Sequence, residues 1–419
     1  MDNLPVEVIG NILSLLGSAR DVVIASLTCK KWRQAWRYHL HTLEFITFDW
    51  PVYRELSSST LEIIITQTIF QTKALRCLTI KMDDVHEFSA ASVIAWFMYT
   101  REDLRRLHFY VNTPPMFNII EKCARQKLEV LVLGQNFITR VEPSYLKFPC
   151  LKSLSLSFVS ISALDLSLLL SVCPRLETLA LVSPEIAMSD SQASMELSSS
   201  SLKEFSVESF GLDKFVLEAD LLECLHLKDC TFEVFEFIGK EGLKVLKVDD
   251  VSVIHLDIGE NADNLEYVDI SNFTIMWPKF YHMISKASKL RRLRLWEVVF
   301  EDDDEVVDME TISVCFPQLM HLCLSYDLRD GVLNYGLQGF SLMRNVAVLE
   351  LGWTSINDLF VEWVDGLLER CPNLKKLVIH GFVSEVKTHE ECQILAKFTE
   401  FIIQLGREYM DIKIEFEYE

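Results

Sequence analysis

One short phrase, L-x-x-L-x-L, recurs along most of this chain. It appears as Leu75-Leu78-Ile80, Leu104-Leu107-Phe109, Leu128-Leu131-Leu133, Leu151-Leu154-Leu156 and Leu176-Leu179-Leu181. It continues as Leu202-Phe205-Val207, Leu222-Leu225-Leu227, Leu243-Leu246-Val248 and Leu265-Val268-Ile270. It ends with Leu290-Leu293-Leu295, Leu319-Leu322-Leu324, Val346-Leu349-Leu351 and Leu374-Leu377-Ile379. Apolar residues two apart make a short strand with one buried face. One such strand cannot bury that face alone, so the copies must stack in parallel as a solenoid. The intervening residues then point outward. The fold class follows: α/β, a curved solenoid with parallel strands on its concave face.

Successive copies start roughly 20 to 29 residues apart, the spacing of leucine-rich repeats. A looser copy, Leu40-Leu43-Phe45, precedes them. The return segments from Ser89 to Arg101, Pro115 to Arg125, Asp165 to Cys173, Pro278 to Ala287 and Asn357 to Cys371 have helical patterns. Several end at Cys173-Pro174, Phe316-Pro317 or Cys371-Pro372, where proline stops a helix. Between Leu202 and Leu265 the repeats shorten to roughly 20 residues and little helix fits. A second phrase appears there instead, Leu212-Phe215-Leu217, Phe232-Phe235-Phe237 and Val253-Leu256-Ile258, which predicts strands on both edges. A last helix from Glu390 to Gly406, with the stripe Ile394, Leu395, Phe398, Phe401, Ile402 and Leu405, and a strand through Ile412, Ile414 and Phe416 are expected to cap the open edge.

The first 45 residues read differently, as three helices. Pro5 suits a first helical position and Glu7 a first turn. Ser18 and Asp21 have capping-box spacing ahead of a second helix. Cys29, Trp32 and Trp36 are interleaved with Lys30, Lys31, Arg33 and Arg37 on a third. So small a unit cannot bury all its aliphatics. Periodicity leaves two readings open, a cap over the first repeat or a docking module.

Leu4-Pro5, Glu7-Val8-Ile9, Ile12-Leu13, Asp21-Val22-Val23 and Cys29-Lys30-Lys31-Trp32-Arg33 resemble the F-box. With the repeats, the chain is similar to the plant F-box/leucine-rich-repeat substrate receptors. The resemblance implies docking on the Skp adaptor, and through it on a cullin–RING ubiquitin ligase. Leu4, Pro5, Val8, Ile9, Ile12, Leu13 and Leu16 become the Skp-contacting or supporting positions, with Trp32 as anchor of the third helix. The domains are then the F-box over 1–45, repeats over 46–389 and a cap over 390–419. The resemblance implies a non-catalytic substrate receptor that promotes ubiquitination and degradation. Its rival is a non-degradative or ligand-sensing scaffold that pairs with Skp.

Composition sets limits. The 419 residues carry 40 Lys and Arg against 61 Asp and Glu, a net charge of -21, which argues against a nucleic-acid or anionic-membrane binder. The 11 cysteines form no C-x-x-C pair, and Cys173, Cys224, Cys323 and Cys371 fit as small repeat residues. No secretory signal or membrane span is apparent, so a nuclear or cytoplasmic protein is expected. No phosphate loop, nucleophile elbow or H-E-x-x-H is present. The acidic run Glu301 to Asp304 with Glu305 and Asp308 lacks EF-hand spacing and reads as a solvated insert.

The outward strand positions are the expected substrate surface. Most in the first half are small or aliphatic, such as Val130, Ser153 and Ala180. Two strands differ, one with Arg106, His108 and Tyr110, the other with Arg292, Arg294 and Trp296, extended by Trp353. Arg, Tyr and Trp are enriched at binding hot spots, and Arg294 beside Trp296 suits a peptide or a carboxylate. Some similar plant receptors hold an inositol phosphate, which needs convergent basic residues. Here Glu204, Glu208, Asp249, Asp269 and Glu350 interrupt them, so no cofactor is expected.

Overall fold

The computed structural model describes residues 4–82, 86–124, 127–143, 147–187, 193–240, 242–259, 261–300, 307–325, 335–337, 339, 341–354, 358–381 and 389–418. The chain divides into two compact units, Met1–Asp220 and Leu221–Glu419.

The first unit opens with helices α1 (Val6–Leu16), α2 (Ala19–Ser26) and α3 (Lys30–His39). Gly17 ends α1 with a positive φ, a conformation that glycine adopts without a Cβ penalty. Pro5 sits one place before the helix rather than inside it. Ser18 does occupy the N-cap of α2, but its side chain makes no capping hydrogen bond, so the predicted capping box does not form.

The looser phrase at Leu40 is a true first strand. Strands β1 (Thr42–Ile46), β2 (Cys77–Lys81), β3 (Arg106–Tyr110), β4 (Val130–Gly134), β5 (Ser153–Ser157) and β6 (Thr178–Val182) pair in parallel in that order. β7 (Ser194–Ser198) and the long β8 (Glu204–Glu218) are the other strands that the first unit contributes to this sheet, β8 pairing with both β6 and β7. Register follows the phrase: Leu78, Leu107, Leu131, Leu154 and Leu179 lie side by side, all buried. Each such leucine contributes about 2 kcal/mol by leaving water, and a one-residue slip would expose them all.

The second unit holds β9 (Cys224–Ile238), β10 (Val245–Asp257), β11 (Tyr267–Ser271), β12 (Arg292–Trp296), β13 (His321–Ser325), β14 (Val348–Thr354), β15 (Lys376–Gly381) and β16 (Lys413–Tyr418), each parallel to the next. β16 is the predicted closing strand, and the predicted last helix spans His389–Glu408. In that helix Phe401 and Leu405 are buried, whereas the side chains of Ile394, Leu395 and Phe398 lie outside the described residues.

A backbone feature recurs that the sequence reading missed. Gln135, Phe158, Ser183, Ser209, Asp229, Asp250, Asn272 and Glu297 have φ between +45° and +55°. Each stands two residues after the last aliphatic of its phrase. The N–H of Gln135 donates to Ser157 O at 3.0 Å, that of Phe158 to Val182 O at 2.8 Å and that of Asn272 to Trp296 O at 3.0 Å. The left-handed residue thus adds one rung before the chain turns. In β8, β9 and β10 the strand continues beyond this bend, so the paired strands expected there are single strands of 15, 15 and 13 residues. No glycine marks these bends, and periodicity carries no sign of them.

Such a conformation costs a non-glycine residue about 1–2 kcal/mol. Asp250 is exposed, so side-chain packing confounds little there. Asp250→Val is expected to lower stability in chemical denaturation by about 1–2 kcal/mol, because a β-branched residue resists positive φ. Asp250→Gly is expected to be neutral or stabilising. Equal losses for the two variants would show that the bend is not the cause.

The helices follow tertiary burial more than propensity. α4 (Ser58–Gln71) is rich in Thr and Ile and was not expected. Ser57 Oγ caps it by accepting from Thr60 N–H at 3.2 Å. Leu61, Ile65 and Ile69 fall four apart and are fully buried, which overrides the β-prone composition. The next helices are α5 (Ala90–Thr100), α6 (Ile119–Cys123) and α7 (Ala163–Ser171). α6 is much shorter than the span predicted from Pro115 to Arg125. The second unit has α8 (Trp277–Ile284), α9 (Met309–Cys315), which ends at the expected Phe316-Pro317 stop, and α10 (Asp358–Arg370). Glu62 on α4 fastens one repeat to the next: its carboxylate accepts from Ser89 N–H at 2.6 Å and Ser92 Oγ at 2.6 Å at the start of α5.

Candidate functional site

The three-helix module presents one apolar face outward. Ile9 and Leu13 on α1 are fully buried, and Gly10 allows α1 to approach α3 so closely that a Cβ there would meet His39 at 2.3 Å. Val8, Ile12, Leu15 and Leu16 lie on the adjoining stripe and are exposed, Leu15 at 87%. Leu4 is half-buried and Pro5 exposed. Ile24 and Leu27 near the end of α2 are also exposed.

Burial sorts the motif positions into outward and inward ones. Ile9 and Leu13 are supporting members of the motif set, fully buried within the module. Trp32 is half-buried, and the inward anchor of α3 is Trp36, whose Nε1–H donates to Thr72 Oγ1 at 3.1 Å. Leu15, Ile24 and Leu27 were missed as surface positions. The i, i+4, i+7 arithmetic places Leu15 with Val8 and Ile12, but the motif does not mark it.

In the first unit Arg106 is exposed and His108 and Tyr110 are half-buried, as strand alternation requires. Tyr110 lies across β4: a Cβ at Gly134 would meet its ring at 2.1 Å, and its hydroxyl donates to Ser157 Oγ at 2.8 Å. Lys81 Nζ stands 5.4 Å from the ring centre. Burial, and then the Arg106 charge, lower the His108 pKa, so the ring is neutral near pH 7.

In the second unit Arg292, Arg294 and Trp296 are half-buried outward residues of β12. Arg294 is already engaged: Nη1 donates to Asp269 Oδ1 at 3.2 Å, and its guanidinium lies 4.9 Å from the Trp296 ring centre. Trp296 reclines over the sheet, where a Cβ at Gly352 would meet it at 1.9 Å, and its ring meets His380 edge-on at 5.2 Å. The glycines at 134 and 352 give two aromatic rings room to lie flat. Trp353 belongs to β14, but its side chain lies outside the described residues, as does the acidic run Glu301 to Glu305. Asp308 caps α9 by accepting from Glu310 N–H at 3.0 Å.

Other outward groups are also matched. His321 Nε2 lies 2.9 Å from Glu350 Oε1, and this contact holds the Glu350 carboxyl down at about 2. The carboxyl is near 4.5 when unperturbed, so the pair stabilises the fold above that pH and the contribution is lost as pH falls through about 2. Glu350→Gln is expected to be less stable by ~2 kcal/mol near neutral pH, and to lose less stability than wild type across the acid window. Thermal melts along a pH series measure this, and identical acid slopes would refute it. Cys173, Cys323 and Cys371 are buried, and burial pushes the thiols of Cys173 and Cys371 up to about 12. Cys224 is only half-buried.

Residues 1–40 match a family model described as F-box-like, and residues 95–322 match one described as FBD-associated F-box protein At5g56370, LRR repeats. Over 419 residues, the whole of both chains, the protein is 63% identical to the F-box/LRR-repeat protein At1g67190 of Arabidopsis thaliana. The F-box protein At1g10780 of the same plant is 23% identical over 194 residues, 44% of each chain. Three helices with an outward apolar stripe, parallel repeat strands in phrase register and identity along the full length converge: the chain belongs to the F-box/leucine-rich-repeat family.

Proposed function

We propose that this protein is the substrate-recognition subunit of a Skp–cullin–F-box ubiquitin ligase. The F-box helices dock on the Skp adaptor, and the outward face of the repeat strands holds a protein substrate for ubiquitination and degradation. The observation that carries this reading is the stripe Val8, Ile12, Leu15 and Leu16, four aliphatics exposed on α1 beside the packed Ile9 and Leu13. A cap that merely shielded the first repeat would turn its apolar face inward and a polar one outward. The protein itself supplies a surface and leaves ubiquitin transfer to the other subunits. Nuclear or cytoplasmic residence is part of the same proposal.

The test is recovery of a tagged chain from plant extract, probed for Skp and cullin together. Recovery of both, with ubiquitinated proteins that accumulate on the repeats when the proteasome is inhibited, supports the ligase reading. Skp without cullin would favour the non-degradative scaffold, and neither partner would overturn the docking role.

A further inference from the structure

Three side chains meet on the outward face of β10, β11 and β12. Tyr267 stands at the first position of β11, level with Arg292 on β12, while Lys247 is level with Asp269 two residues further along. Lys247 Nζ is 5.5 Å from the Tyr267 ring centre and Arg292 Cζ is 5.0 Å from it. The two charges are therefore no farther apart than the sum of those distances. Tyr267 is fixed, since its hydroxyl donates to Asp269 Oδ2 at 2.6 Å.

The carboxylates nearby are already held by other donors. Asp269 takes Tyr267 and Arg294, and Asp249 takes Ser271 Oγ at 2.7 Å and Asn272 Nδ2 at 3.2 Å. Glu350 is matched to His321, though Arg292 is near enough to help lower its pKa. Among the described residues no ion pair includes Lys247 or Arg292. Two half-buried cations thus approach one tyrosine ring, and neither stands within ion-pair distance of a carboxylate among the described residues. Asp249, Asp269 and Glu350 keep their negative charges beside this spot and the chain carries a net charge of -21, so Lys247 and Arg292 act on an anion only at contact range. A long polyanion would be repelled by the surroundings, whereas a segment offering one or two negative groups is drawn to this spot.

We propose that Lys247, Tyr267 and Arg292 recognise an anionic side chain, a carboxylate or a phosphorylated residue, in the protein segment that lies on the repeat strands. This rests on the substrate-receptor reading. The ammonium and guanidinium groups donate to the anion's oxygens, and the tyrosine ring holds the two cations in place by cation–π contact.

The full chain, co-expressed with the adaptor, is passed over immobilised degenerate peptides whose central residue is fixed as Glu, phosphoserine, Gln or Ser. Wild type is expected to retain Glu or phosphoserine peptides at least about tenfold over the neutral ones, and the ratio of the two distinguishes the source of the anion. Lys247→Gln with Arg292→Gln, at an unchanged melting temperature, loses that preference. Arg292→Lys, which keeps the charge, retains part of it and serves if the double variant does not fold. Arg105→Gln, which removes an exposed guanidinium already paired with Glu129 at 3.1 Å, leaves it intact. A wild-type chain that recovers cullin yet ignores the fixed residue would overturn this inference and leave the ligase reading standing. A preference that survives the double variant would also overturn it. A preference abolished by the double variant in a chain that recovers no cullin would support the anion site while the ligase reading falls.

Discussion

Ile12→Glu combined with Leu16→Glu is expected to abolish recovery of the Skp adaptor while the repeats stay folded. Both side chains are exposed, at 36% and 44%, so the free protein loses little by the change. In a docked interface the same positions would be dry. Two aliphatic contacts would be lost and two carboxylates left without partners, and burying an unpaired charge is the larger penalty. The combined cost is about 4 kcal/mol, roughly a thousandfold in Kd. Leu13→Ala provides the contrast. Leu13 is fully buried, so its loss costs about 2–5 kcal/mol of stability and acts on the fold rather than on the surface. Co-precipitation and thermal melting together separate the two. Normal adaptor recovery by the double variant would place docking elsewhere on the chain.

Trp36→Ala is expected to cost about 3–5 kcal/mol and to loosen the helices from the first repeat. Trp36 is 7% exposed. Its indole N–H donates to Thr72 Oγ1 at 3.1 Å, and that hydroxyl in turn donates to Thr68 O at 3.0 Å. Beside it, Lys73 N–H donates to Arg37 O at 2.9 Å. Truncation leaves a cavity and removes a donor from a buried hydroxyl. Trp36→Phe fills most of the space and is expected to cost only about 1–2 kcal/mol, the price of the lost hydrogen bond. Denaturant melts give the magnitudes, and amide exchange confined to α1–α3 would locate the effect. A loss below about 1 kcal/mol for Trp36→Ala would mean that this joint is not held by the indole. In the ligase reading the joint fixes where the substrate sits relative to the adaptor.

The candidate surfaces were only partly legible. Alternation placed Arg106, His108, Tyr110, Arg292, Arg294 and Trp296 outward, and the structure has them there. What each could still bind was not legible, because that depends on neighbours about 25 residues away in sequence. Arg294 looked free to grip a carboxylate but is spent on Asp269. Lys247 stands among outward acids, Asp249 and Asp269, that accept from Ser271, Asn272, Tyr267 and Arg294.

The sequence by itself determined the strands, their register and the three leading helices. Each follows from a local period, two for Leu75-Leu78-Ile80 and its copies, and near 3.6 for Val8 to Leu16. Tertiary structure decided the rest. It made a helix of the Thr- and Ile-rich stretch Ser58–Gln71, because stacking against the adjacent repeat buries Leu61, Ile65 and Ile69. It bent β8 to β10 at left-handed residues that carry no glycine signal, and the ladder between β9 and β10 resumes beyond the bend. It also chose which leucines of α1 meet α3 and which meet water. Periodicity defines a stripe, but only the packed neighbour decides which side of the helix is covered.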